Sequence, residues 1–167
     1  YAFPTGAVAP SRGVVVVARC AADFANRFGR FPEFEFAPGG CLDSGSVPNL
    51  QRYTGWGRGT FSLADAGDEV VLLSPDDEIV DAAAFGSGQY GLVGLQGEAK
   101  AVAPLGLHRV GLSDRDDMSL DFGYEGPSPG LALDLPASAL PEPGPLWGGL
   151  RVYWGDLHAH TACSDGA

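Results

Sequence analysis

A histidine pair near the end of this chain has the residue types and the spacing of a metal site. The segment reads Val152-Tyr153-Trp154-Gly155-Asp156-Leu157-His158-Ala159-His160-Thr161-Ala162-Cys163-Ser164-Asp165-Gly166. Its apolar start predicts a short strand. On a strand, side chains two residues apart point to the same face. Asp156, His158 and His160 therefore project together, and Asp165 follows within one loop. Imidazole is the commonest protein ligand for zinc-like ions. A carboxylate close to a liganding imidazole can hold the ring in its orientation. The same His-x-His pattern also arises by chance in surface loops, so the flanking residues carry weight.

Those flanks are Gly155-Asp156-Leu157, Thr161 and Ser164-Asp165-Gly166. With them the segment resembles the first motif of the PHP (polymerase and histidinol phosphatase) superfamily of metal-dependent hydrolases, and its carbaryl-hydrolase-like branch in particular. The resemblance implies that His158, His160 and Asp165 are metal ligands, with Asp156 behind them as an orienting group. It implies a divalent metal (zinc, manganese or iron) and a distorted (β/α) barrel with ligands at the C-terminal ends of its strands. It also implies hydrolysis of a phosphoester, ester or amide of a small-molecule substrate by metal-activated water. The chain has 3 histidines, one of which is His108, far from the pair. A multi-metal site needs more ligands than these, so the chain alone is expected to be inactive and to complete no catalytic set.

The elements in front of the pair read as β structure. The chain has 167 residues, enough for a domain of ordinary size, and 45% are hydrophobic, enough for a core. The 25 glycines and 13 prolines favour a turn-rich β protein over a helical one. The formal net charge of -11 speaks against a nucleic-acid backbone as partner and against an anionic membrane surface. No apolar stretch is long enough to span a bilayer. The chain starts at Tyr1 without methionine and stops inside the motif, so both ends are read as cut, and a targeting signal could have been lost with them.

Val14 to Ala18 reads as a strand buried on both faces. Residues 20–28 carry Ala21, Ala22, Phe24, Ala25 and Phe28 near helical spacing, which predicts a short helix ended by Gly29. Prolines and glycines make residues 31–49 mostly loop. A short strand is expected over 59–63 and a second over 68–73. Ser74-Pro75-Asp76-Asp77 then forms a hairpin turn into an antiparallel return over 78–85. Residues 86–97 read as a loose glycine-rich connection, and 105–110 as a late strand. Residues 131–149 hold Pro136, Pro141, Pro143 and Pro145 and read as an extended linker.

The order of these pieces resembles the lamin-tail domain, an immunoglobulin-like β-sandwich found in lamins and in many bacterial exported proteins. The residues that carry the resemblance are Phe3-Pro4, Val14 to Arg19, Gly67-Asp68-Glu69-Val70-Val71-Leu72-Leu73, Ile79 to Gly86, Leu107-His108-Arg109 and Pro127-Ser128-Pro129-Gly130. The family's first strands, which precede the Phe-Pro turn, have no counterpart here, so an exposed sheet edge is expected. The organisation expected is a mainly β chain: a sandwich over 1–130, a linker over 131–150, and the first strand of a metallohydrolase barrel over 151–167. The resemblance implies tethering to a protein or cell-surface partner, and an extracellular or cell-envelope location. A sandwich acting only as a binding module, or only as a spacer, is the alternative reading.

Other motifs carry less. Cys20, Cys41 and Cys163 show no Cys-x-x-Cys spacing. A Cys20–Cys41 disulfide is open to the chain if the protein is secreted. Gly86-Ser87-Gly88-Gln89-Tyr90-Gly91 matches a dinucleotide fingerprint, but Gly94 and Gly97 follow where its helix should be. Gly126-Pro127-Ser128-Pro129-Gly130 matches a nucleophile elbow, yet Pro129 has no N–H for an oxyanion hole. Asp114-Arg115-Asp116-Asp117 lacks the glycine and spacing of a calcium loop and reads as a solvated acidic turn. His108 is expected to face the surface from a strand. Tyr53, Trp56 and Trp147 are expected to pack or to anchor loops, with ligand binding through exposed rings as the alternative.

Overall fold

The computed structural model describes residues 1–8, 14–56, 61–100, 102, 104–111 and 113–130. The linker and barrel strand expected over 131–167 lie outside the described residues. The chain divides into two compact units, Tyr1–Ser62 and Leu63–Ala167. The described residues form six strands, two α-helices and one 3-10 turn, so the fold is mainly β. The strands pair as three two-stranded sheets.

In the first unit, β1 (Val17–Ala18) pairs parallel with β2 (Phe34–Glu35). Parallel strands need a crossover, and α1 (Ala21–Phe28) supplies it. This helix has the bounds its apolar spacing predicts. Gly29 closes it in the left-handed conformation, φ 72°, and donates its N–H to the Ala25 carbonyl, a helix end for which glycine is the default. One expectation needs correction here. The valine run pairs only at its last two residues, because the β2 partner offers just two. Residues 31–49 are mostly loop, as expected, and Phe34–Glu35 is the one strand among them. The interior of this unit is small, with Val16, Ala18, Ala21, Phe34, Val47 and Leu50 buried. Aromatic edges extend it: Tyr1 meets Phe36 edge-on at 4.8 Å, Phe3 meets Phe34 at 5.1 Å, and Phe61 stacks on Phe36 at 4.5 Å.

In the second unit, β3 (Gly67–Leu73) and β4 (Ile79–Gly86) form the expected antiparallel hairpin. Its turn is built on Ser74. The Ser74 carbonyl accepts the Asp77 N–H at 3.1 Å, and the Ser74 hydroxyl accepts the N–H groups of Asp76 and Glu78 at 3.2 and 3.1 Å. Asp77 takes a positive φ of 62°, which short polar side chains tolerate best after glycine. At the far end Gly67 pairs with Gly86, both at positive φ. A Cβ on either would overlap backbone of the other strand, so glycine is required twice at this rung.

Ala82, Ala83, Ala84 and Phe85 are all buried, so the second half of β4 is covered on both faces. They join Val93, Leu95, Ala99, Leu107, Met118 and Phe122 in one core. The connection after β4 is tighter than expected. It contains a 3-10 turn, Tyr90–Val93, and the Tyr90 hydroxyl donates to the Ala99 carbonyl and accepts its N–H. β5 (Gly106–Arg109) pairs antiparallel with β6 (Phe122–Glu125), and the one-turn α2 (Met118–Asp121) precedes β6. Neither α2 nor β6 was expected from sequence. The strand expected over 59–63 is not formed at 61–63; its first two residues lie outside the described ones.

Candidate functional site

The sequence-derived ligands His158, His160 and Asp165, and the orienting Asp156, lie outside the described residues, as does Trp147. Among the described residues, no group of three His, Cys, Asp or Glu is placed to hold a metal ion. Three polar centres remain that have the residue types for chemistry.

The first is Glu35 on β2, a carboxylate with no exposed surface. Its Oε2 accepts the Ala21 N–H at 2.7 Å, and its Oε1 accepts the Ser44 N–H at 3.0 Å. A buried carboxylate without such donors is costly. With them Glu35 is a structural node that ties the start of α1 to the loop after β2. The cysteines sit in the same two segments. Cys20 and Cys41 are joined as a disulfide with Cα atoms 5.5 Å apart, which selects one of the two pairing states that the sequence left open.

The second centre surrounds Arg109 on β5, which is almost fully buried. Its guanidinium lies 3.4 Å from an Asp114 oxygen and 3.9 Å from an Asp81 oxygen, donates to the Ser113 carbonyl at 3.3 Å, and sits 5.2 Å over the Phe122 ring. Burial, and then the charge of Asp114, push the Asp81 carboxyl up to about 7, against the opposing pull of the Ala82 N–H and Arg109. Nearby, the buried Asp121 accepts the Arg115 N–H at 2.7 Å, the Arg115 guanidinium at 3.0 Å and the Asp117 N–H at 3.3 Å. Asp117 in turn caps α2 by accepting the N–H groups of Ser119 and Leu120. The hydrogen bond from the Ser119 hydroxyl is the main cause of its lowered pKa. The acidic run 114–117 is thus only partly the solvated turn expected: Asp114 and Asp117 have structural partners. A carboxyl titrating near neutrality has the strength of a general acid or base. Asp81 instead faces a guanidinium and another carboxylate, with little access to solvent.

The third centre pairs His108 Nε2 with the Ser128 hydroxyl at 3.2 Å. It joins the late strand to the Gly-x-Ser-x-Gly segment, so His108 is half-buried rather than facing open solvent. A serine–imidazole contact is the first element of a nucleophile–base pair. The second is missing: among the described residues no carboxylate is bonded to the ring. Pro129 still offers no N–H for an oxyanion. This contact fixes the path of the chain at Pro127–Gly130.

Trp56 has half its surface exposed, and Tyr53 lies over Gly55 so closely that a Cβ there would overlap its ring. No family model, curated protein or solved structure matches this chain. Among the described residues, no helix is long and apolar enough to cross a membrane.

Proposed function

We propose that this chain is the front part of a metal-dependent hydrolase, in which a lamin-tail-type, immunoglobulin-like sandwich over 1–130 and a linker over 131–150 precede a PHP-type catalytic domain beginning at 151. The observation that carries this reading is the sequence Gly155-Asp156-Leu157-His158-Ala159-His160 with Asp165 following. His158, His160 and Asp165 would hold a divalent ion, and Asp156 would orient an imidazole. A bound ion of this kind lowers the pKa of water and polarises an ester, amide or phosphoester. Support for the sandwich comes from the β3–β4 hairpin and from β5, which form on the residues that carry the lamin-tail resemblance.

The described centres favour a non-catalytic role for the β part. Glu35, Arg109, Asp81 and Asp121 each face groups that anchor loops. The sandwich would then act as a tether to a protein or cell-surface partner, and that role alone is the second reading. Sequencing the gene beyond the codon for Ala167 separates the two. Further histidine- and aspartate-bearing strand ends are expected, and a stop codon directly after Ala167 removes the hydrolase reading while leaving the module.

A further inference from the structure

The unit Tyr1–Ser62 has little to hold it together by burial alone. Among its described residues the regular structure is two two-residue strands and one eight-residue helix, and four of the six buried apolar side chains named above are alanine or valine. Folds of this size bury too small a share of their surface to be secure without a covalent or metal staple.

Two staples converge here on the same two segments. Cys20 and Cys41 are bonded across a separation of 21 residues. Ala21, whose N–H binds Glu35 Oε2, directly follows Cys20. Ser44, whose N–H binds Glu35 Oε1, lies in the loop just past Cys41. The backbone brings these segments side by side: Phe36 and Ala37 donate to the carbonyls of Ala18 and Arg19, both at 3.0 Å. Ala37, at a positive φ of 40°, then turns the chain toward Cys41. The fully buried Glu35 needs both donors in place. The disulfide is what keeps them together once the short ladder frays, because a cross-link removes much of the freedom of the opened chain.

We propose that the Cys20–Cys41 bond is a redox-controlled lock on the first unit. Oxidised, it holds α1 and the loop after β2 around the Glu35 carboxylate. Reduced, it lets that unit open so that Glu35 becomes hydrated, while the second unit, which contains neither cysteine of the pair, keeps its fold. The partner chemistry is a dithiol. Two electrons and two protons pass to the protein, the Sγ–Sγ bond breaks, Cys20 and Cys41 become thiols, and the dithiol closes into its own disulfide. The unit is therefore ordered in oxidising surroundings and opened in reducing ones.

The test uses the full chain carrying Cys163→Ser, so that the third thiol cannot exchange. Thiol labelling and amide hydrogen exchange are measured before and after dithiothreitol. No reactive thiol is expected before reduction and two after. Exchange at Ala21, Ser44 and along α1 should speed up about 100-fold on reduction, with β3, β4 and β5 unchanged. Cys20→Ser/Cys41→Ser should match the reduced chain, and the reductant arm stands if that variant fails to fold. The proposal is overturned if the untreated chain shows two reactive thiols. It is equally overturned if reduction leaves Ala21 and Ser44 protected, or if both units lose protection together.

Discussion

Single carboxylates show how burial sets the behaviour of this chain. Asp81 is pushed up to about 7, first by desolvation and then by Asp114. Its folded pKa lies above that of the unfolded chain, so the native state holds the extra proton between about pH 4 and 7. Stability from this group is therefore full below pH 4 and falls as pH rises to about 7, by at most about 1.4 kcal/mol per pH unit. Asp81→Asn keeps an acceptor for the Ala82 N–H and removes the titration. Thermal melts from pH 4 to 8 should show a flatter profile for the variant and a higher midpoint than the parent at pH 8. A parent profile that rises toward pH 8 would contradict the assignment. Glu35 is held by two backbone donors, the N–H groups of Ala21 and Ser44. Glu35→Ala leaves the N–H groups of Ala21 and Ser44 without their acceptor and should cost about 2–3 kcal/mol, read as faster amide exchange along α1. Neither role was legible in sequence. Glu35 sits in a proline-flanked stretch, and nothing local in Val80-Asp81-Ala82 says which charges will face it.

Elements were legible in proportion to how local their causes are. α1 follows from apolar spacing and a glycine stop, and the β3–β4 hairpin from apolar runs on either side of the turn Ser74-Pro75-Asp76-Asp77. Both rest on contacts between residues close in sequence. β2 and β6 have partners 17 and 13 residues away, Val17 for Phe34 and Arg109 for Phe122, and a strand that short has no pattern of its own. α2 is a single turn whose formation depends on the Asp117 cap and on burial of Met118. Met118 is the anchor of that corner, 1% exposed within the core of the second unit. Met118→Ala should destabilise that unit by about 2–4 kcal/mol, measured by exchange in β4 and β6. An unchanged exchange pattern there would mean the core closes over the lost side chain.

At the scale of the molecule, the division into two units changes what the net charge means. Residues 1–62 carry six arginines against four acidic residues, whereas residues 63–130 carry thirteen acidic against three basic ones. The repulsion of polyanions therefore belongs chiefly to the second unit. For the chain as a whole, the proposed function predicts zinc binding no tighter than micromolar and no hydrolysis of p-nitrophenyl esters or phosphates, since two imidazoles and one carboxylate do not preform a multi-metal site. Calorimetric titration checks the first and an absorbance assay the second. Nanomolar zinc affinity abolished by His158→Ala would show that these residues form a complete site unaided.

The amino-acid sequence by itself determined the mainly β character, the helix α1, the hairpin and the ligand-type spacing of His158 and His160. Each is written in residues within a few positions of one another, where helical periodicity, turn chemistry and ligand spacing act directly. Only the tertiary structure decided that Cys20 meets Cys41, that Glu35 binds Ala21 and Ser44, and that Arg109 lies between Asp81 and Asp114. Those contacts join residues from 5 to 28 positions apart. They depend on which segments the fold brings together, and burial then turns ordinary surface residue types into the internal braces of the two units.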